Sequence, residues 1–494
     1  MSTVLINMYR EANGVCKHVE YVPGINGGRP KLKSSAKGPS CWHEARETLS
    51  KTRCRFDFAT MFRGRCIHHS GRWVYPSAVT KYKQRYKHSS KVKQQLQSCN
   101  CGRWAASAFS EVGAGIGLGP NAIRILREIG VLDILISTTA EKTLDNKWFV
   151  YRSGMEGHEE IYEYPLGHDD YVMSIHRASL LNALVGSIDS KITHFNKRCV
   201  GVSPSTSNPS QVVIQFEDKT FAEADIVVGA DGIKSIVRGA VVGGNPADNI
   251  AYTNCVAYRG LVPMEQVKAA GLKVDLSARP SLFVGKNKHL VTYPIKGGEL
   301  MNIVGCSRDR SVPLGKAIPE PWTQRTTEQE ILDEYQNWGE DVIRLLNRVQ
   351  NPSKWMMHVV HPPLQTYVRG RIALLGDAAH AMLPHLSAGA GQGVEDAYVL
   401  SRLLIHPQTN LSNLEAVLQA YDNFRRPRVE SVWDGSVAAG NSYEGHGKSG
   451  YSIEGVRKDL AGIWDGVWHH DLNQDVRAAV NYLEQNGAFV RVSL

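Results

Sequence analysis

The 494-residue chain is as informative for what it lacks as for what it holds. No apolar run approaches the roughly 20 residues a membrane helix needs, so no membrane span is expected. The start, Met-Ser-Thr-Val-Leu-Ile-Asn-Met-Tyr-Arg, has no basic-then-apolar order of a secretory signal. The end, Arg-Val-Ser-Leu, is a poor peroxisomal address. Only Cys199, Cys255 and Cys306 lie beyond residue 105. That excludes a disulfide scaffold there and fits a cytoplasmic enzyme. No internal repeat is present, and no Ser-His-Asp or Cys-His arrangement suggests a covalent nucleophile. A GxGxxG fingerprint after an apolar strand is also missing. The closest imitation, Phe109-Ser-Glu-Val-Gly-Ala-Gly-Ile-Gly-Leu-Gly-Pro, has the wrong glycine spacing and no strand before it.

Charge is divided unevenly. Residues 1–105 hold 20 Lys/Arg against 5 Asp/Glu, a net of +15, which leaves −6 for the rest of a chain whose total is +9. Six of the 9 cysteines fall in the same stretch. So sharp a break marks a boundary. We read 1–105 as a basic, cysteine-containing, poorly ordered segment. Cys54, Cys66, His68, His69, Cys99 and Cys101 match no standard zinc spacing, and no metal site is expected. An anionic partner for the arm is conceivable on charge, but no motif that reads DNA or RNA accompanies it, so no specific nucleic acid is expected.

The densest signal is Arg371-Ile-Ala-Leu-Leu-Gly-Asp-Ala-Ala-His-Ala-Met-Leu-Pro-His-Leu-Ser-Ala-Gly-Ala-Gly-Gln-Gly-Val-Glu-Asp-Ala. Ile372–Leu375 is short and β-capable, suited to a strand covered on both faces. Gly376 permits a turn without a Cβ clash. Asp377 then falls at the strand's carboxyl end, the usual ligand crevice of an open α/β sheet. Pro384 stiffens the turn. Gly389, Gly391 and Gly393 let backbone approach a flat ligand at the start of a helix over 394–404. A Gly-Asp pair alone is an ordinary strand-turn-helix; the 27-residue run is far more specific. It closely resembles the second flavin motif of the FAD-dependent aromatic monooxygenases, the salicylate hydroxylase-like group. Three further blocks match that family. Ala224-Asp-Ile-Val-Val-Gly-Ala-Asp-Gly-Ile-Lys-Ser-Ile-Val-Arg matches a motif implicated in FAD and NAD(P)H binding, at Gly229, Asp231, Gly232 and Arg238. The glycine loop 113–119 matches a segment that crosses near the flavin; Pro120 suits a first helical turn, and Ile123, Leu126 and Ile129 give the helix an apolar face. Ser174-Ile-His-Arg matches a place where an arginine, here Arg177, contacts the FAD phosphate region.

Between 241 and 365 short β-type runs occur at 254–262, 289–295 and 300–305. Alternation puts Val256, Tyr258 and Gly260 on one face, and groups His289, Val291 and Tyr293. They resemble the family's antiparallel sheet that roofs the flavin. Tyr258 matches a tyrosine that borders the substrate and is the candidate catalytic residue, while His289 and Tyr293 read as structural. Some family members carry a histidine in the loop matching Gly115–Leu118; Gly117 stands there here, so no base is expected from that position. Beyond 405, helices are expected at 414–425 and 476–486, the second capped by Asp475, with His469-His470-Asp471 as a polar turn before it.

The fold class is therefore α/β. It comprises a discontinuous FAD/NAD(P)-binding Rossmann-like domain (106–240 and 366–405), a substrate-binding antiparallel sheet (241–365) and a helical end (406–494). The resemblance implies FAD, with NAD(P)H as co-substrate and O2 and a small aromatic compound as reactants. Arg177, Asp231, Gly232, Gly376, Asp377, Pro384, Gly389 and Gly391 are the expected cofactor contacts. The family's first βαβ unit has no counterpart in residues 1–105, as though start or intron sequence stood in its place. Weak or absent FAD binding follows unless those residues substitute. Two other readings stand beside this one: a non-catalytic product whose basic arm binds an acidic partner, and a flavoenzyme of the same fold with other chemistry, such as an epoxidase.

Overall fold

The structure, a computed structural model, describes residues 115–138, 148–188 and 190–491, with residue 144 and the backbone of Gly102–Arg103. The basic arm, its cysteines and the loop before Gly115 lie outside the described residues. Gly102–Arg103 pairs in parallel with Thr193–His194.

The strand expected at the densest motif forms at Ile372–Leu374, with Val227–Gly229 parallel beside it and Val368–Arg369 antiparallel on its other edge. Its three residues are buried, as a strand covered on both faces requires. The main core gathers around it. Ile123 and Leu126 come from the helix Pro120–Glu128, Val394 and Leu400 from Gly389–Leu404, and Leu418 and Tyr421 from Leu414–Tyr443. Cys199–Pro204, Val212–Phe216 and Phe221–Ala224 make a small antiparallel sheet.

The second architectural unit is a nine-stranded, mostly antiparallel sheet. At its centre Ile250–Pro263 lies between Leu300–Arg308 and Ser353–Val360. Lys288–Ile295 and Ser281–Gly285 continue it, followed by Val150–Ser153 and Glu160–Glu163. These last two strands come from well before residue 241. Successive residues of the long strand face opposite ways. Tyr258 and Val262 turn toward the helices Glu328–Tyr335 and Glu340–Leu346, packing with Phe283, Leu290 and Tyr335. Cys255 and Ala257 turn the other way, with Val304 and Cys306.

Two helices differ from expectation. The helix expected to stop near Arg425 runs 30 residues, Leu414–Tyr443, straight through Pro427. One lost backbone hydrogen bond is outweighed by the helix's long buried face. The last helix is Leu472–Gln485, capped by Asp471, which accepts from the amides of Asn473 (2.9 Å) and Gln474 (3.2 Å). Asp475 sits one turn inside it and pairs with His470 at 2.7 Å, while His469 pairs with Asp170 at 2.8 Å.

Candidate functional site

The parallel pair fixes the site. Gly229 is in register with Leu374, and the Leu375 amide donates to the Gly229 carbonyl at 3.0 Å. The two following turns, Ala230–Gly232 and Leu375–Asp377, therefore lie side by side at the carboxyl end of the strands. Gly376 takes φ 59°, ψ −144°, a conformation open essentially to glycine alone. It is clamped from behind: its amide donates to Asp396 at 2.8 Å, and Asp396 pairs with His380 at 2.6 Å and with Arg425 at 2.9 Å. Arg425 is fully buried and also holds Glu395 at 2.8 Å. Burial would raise the Asp396 carboxyl, but His380 and Arg425 prevail and hold it down at about 2.

In front of these turns opens a cleft of about 440 Å³. One wall is Gly376, Asp377, Pro384 and the start of the helix Gly389–Leu404, where Gly389, Ala390 and Gly393 face inward. A side chain at Gly389 would meet nothing nearer than 3.7 Å, so the wall is smooth. The floor is the other face of the large sheet, with Arg259, Val291, Tyr293, Val304 and Trp355. Gly115–Gly117 and Arg177 close one end; at Gly115 a Cβ would come within 2.5 Å of the Tyr293 ring. His289, Cys306, His385, Tyr443 and Trp464 close the other.

The sequence candidates divide. Arg177, Gly232, Gly376, Asp377, Pro384 and Gly389 line the one cleft. The Asp377 carboxylate has no hydrogen-bond partner among the described residues and is exposed, free to accept. Asp231 is placed otherwise. With Gly232 at φ 77°, the chain turns so that the Asp231 carboxylate accepts from Ser235 Oγ (2.5 Å) and from the amides of Ile236 (2.8 Å) and Val237 (3.3 Å). It caps its own turn, and the backbone beside it lines the cleft. Arg238 is also a staple: fully buried, it donates to the carbonyls of Ile233, Pro246 and Ala378, tying the two turns together. Gly391 faces away, and a Cβ there would lie 3.3 Å from Asn121 Nδ2.

Tyr258 is a correction. Strand alternation carries it to the far face of the sheet, where its hydroxyl donates to Glu330 at 3.2 Å. Burial and that carboxylate push the hydroxyl well up. Its neighbour Arg259 is the residue that reaches the cleft, stacked over Trp355 with its guanidinium carbon 4.8 Å from the ring centroid. Its Nε is buried with no hydrogen-bond partner, and burial lowers its proton affinity.

The inner end holds groups the sequence reading treated as structural or passed over. His289 and His385 meet edge to face, with ring centroids 5.1 Å apart. His289 Nδ1 lies 3.4 Å from Glu444 Oε1, an ion pair without hydrogen-bond alignment. Glu444 is fully buried and also pairs with Arg310. Burial opposes charge on His289, yet the Cys306 sulfur and Glu444 carry it up to about 10. His385 goes the other way, down to about 3, through burial and then the neighbouring His289 charge. Neither ring nitrogen of His385 has a partner among the described residues. The signal for this end was present in the sequence as the period-2 set His289, Val291 and Tyr293, which shares the face of Arg259.

An elongated flavin fits what is described: a smooth glycine wall, an unpaired carboxylate at the strand end and a helix amino terminus. A family model described as FAD binding domain matches residues 106–436. Fold and cleft thus define a flavin-dependent oxidoreductase domain. The salicylate hydroxylase of Pseudomonas putida is 36% identical over 385 residues, 76% of this chain and 87% of that protein. The 6-methylsalicylate 1-monooxygenase of Aspergillus terreus is 33% identical over 390 residues, 76% of this chain and 84% of its own. A solved salicylate hydroxylase substrate complex superposes with a TM-score of 0.68 at 32% identity, covering 74% of this chain and 90% of that one. The chain belongs to the salicylate hydroxylase-like FAD-dependent monooxygenases.

Proposed function

We propose that this monooxygenase uses NAD(P)H and O2 to hydroxylate a small aromatic compound that carries an anionic group beside a phenolic hydroxyl. The observation that carries the reading is Arg259: a cation on the cleft floor, with a buried and unpaired Nε, flanked by aromatic rings. A polar atom buried without a hydrogen-bond partner is costly, and a guanidinium stacked beside Trp355 on the cleft floor is complemented by a ligand that brings a carboxylate or phenolate. The relatives named for salicylate and 6-methylsalicylate support the same class.

FAD, when bound, supplies hydride acceptance from NAD(P)H and the activation of O2. The chain's residues do the rest. Asp377 would accept a hydrogen bond from the flavin, and Gly389, Ala390 and Gly393 would let it approach the backbone closely. Val291, Val304, Trp355 and Trp464 exclude water from the face where the aromatic ring lies. Arg259 holds the anion, and protonated His289, steadied by Glu444, adds a second positive donor. Neutral His385 accepts the hydrogen bond of the phenolic hydroxyl, which raises the electron density of the ring to be attacked.

No helix among the described residues is long and apolar enough to cross a membrane. We place the enzyme in the cytoplasm, which the free thiols of Cys199, Cys255 and Cys306 support. The test is NAD(P)H consumption with product quantified over paired substrates, hydroxybenzoates against the matching neutral phenols. Faster coupled turnover of the carboxylated member of each pair is expected. Equal or better turnover of the neutral phenols overturns the reading.

A further inference from the structure

Cys306, at the inner end of the cleft, and Cys255, packed beside it, take no direct part in the proposed chemistry. Cys306 lines the cleft and lies directly across the strand pair from His289, its register partner. Its partner on the other side is Ala257, which places Cys255 two residues along that strand, on the same face and diagonal to it. Both are free thiols. Cys306 is only 1% exposed, but it borders the cleft, its strand partner carries the His289 imidazole, and the next strand carries a second thiol in the same cluster. A cation to favour thiolate and a resolving partner therefore stand beside it, and the cleft is the route by which a small oxidant reaches it.

We propose that Cys306 is a peroxide-oxidised residue of this cleft, with Cys255 as its resolving thiol. The oxidant is hydrogen peroxide, the product of O2 reduction whenever substrate is not hydroxylated. The Cys306 thiolate attacks one peroxide oxygen, the O–O bond breaks, and hydroxide leaves and takes up a proton to become water. The sulfur has lost two electrons and is a sulfenic acid. The Cys255 thiol then attacks that sulfur, the S–O bond breaks, and a second water departs as the disulfide forms. Charge supports the order of events. The Cys255 thiol and then the His289 imidazolium pull the Cys306 thiol down to about 5, while Cys255 is pushed up. Half-buried Cys199 is the built-in contrast, since burial raises its thiol to about 11.

The full chain is treated with a few equivalents of hydrogen peroxide in the presence of dimedone, and its peptides are read by mass spectrometry. In the parent protein the expected product is a Cys255–Cys306 cross-link, lighter by two hydrogens and reversed by dithiothreitol, with Cys199 still a thiol. In Cys255→Ser the expected product is a dimedone adduct on Cys306. Where that variant does not fold, the order of modification in the parent decides. Oxidation of Cys199 ahead of Cys306, a Cys306 cross-link to any other cysteine, or recovery of both thiols intact overturns the proposal. The peroxide is added, so the outcome does not depend on which aromatic compound, if any, the enzyme turns over.

Discussion

The two walls of the cleft are built in opposite ways. The turn wall comes from one contiguous stretch, residues 371–397, where strand, turn and helix follow each other. The sheet wall is assembled from strands scattered between Ile250 and Val360, each contributing alternate residues. A contiguous wall can be read along the chain. A sheet wall is read only once the buried face is known, because a one-residue change of phase exchanges one entire set of side chains for the other.

The strongest way to break the turn wall is from behind. Arg425→Met removes the cation that Glu395 and Asp396 share and leaves Arg428 beside the first and His380 beside the second. Loss of one partner of a buried pair costs about 3–5 kcal/mol, and we expect a drop of that order in thermal or denaturant unfolding, with flavin retention falling alongside. A variant as stable as the parent shows that the clamp does not hold Gly376. Asp396 adds a pH signature. Its folded-state value lies below the ordinary carboxylate range, so its contribution is present above the unfolded value near 4 and is lost as pH falls toward about 2. In acid titrations of unfolding, Arg425→Met is expected to lose part of that dependence, the part due to His380 remaining.

On the sheet wall, Arg259→Gln removes the anion's partner. A hydrogen bond to a charged group contributes about 2 kcal/mol, roughly 30-fold. The loss is expected mainly in KM for a carboxylated substrate and hardly at all for a neutral phenol. An equal change for both identifies Arg259 as structural. A smaller effect is expected from Glu444→Gln. His289 is held protonated up to about 10 by Cys306 and Glu444. Its help in binding an anion is therefore full at neutral pH and fades as pH rises through that value. Without the Glu444 carboxylate, the fall should begin at lower pH, and an unshifted profile of kcat/KM rules out that role. The smallest effect is expected from Tyr258→Phe, within about threefold in kcat, because the hydroxyl hydrogen-bonds Glu330 on the sheet's far side. A loss of a hundredfold puts Tyr258 back at the reaction centre.

The contrast between walls also explains what the sequence revealed. Ile372–Leu374, Gly376, Asp377 and the glycine-led helix were legible because strand, turn and helix signals are local. The helix merely starts earlier, at Gly389 rather than Val394. Tyr258 was misplaced by phase, not by strand: the run was recognised, but nothing local says whether Tyr258 or Arg259 faces the cleft. Asp231 was expected among the cofactor contacts, yet its carboxylate folds back on Ser235 and the amides of Ile236 and Val237, with Gly232 turning the chain at φ 77°. Pro427 misled because the local cost of proline is visible in sequence, while the buried face that overrides it is not. His385 lay inside the most recognisable motif of the chain, but its pairing with His289 joins segments nearly a hundred residues apart.

The direct test of convergence on one flavin is an FAD titration of the full chain and of Asp377→Ala, followed by flavin fluorescence. With Asp377 accepting a flavin hydroxyl, its loss should weaken FAD binding by about 2 kcal/mol, roughly 30-fold. Equal affinity in parent and variant would contradict the placement of FAD in this cleft.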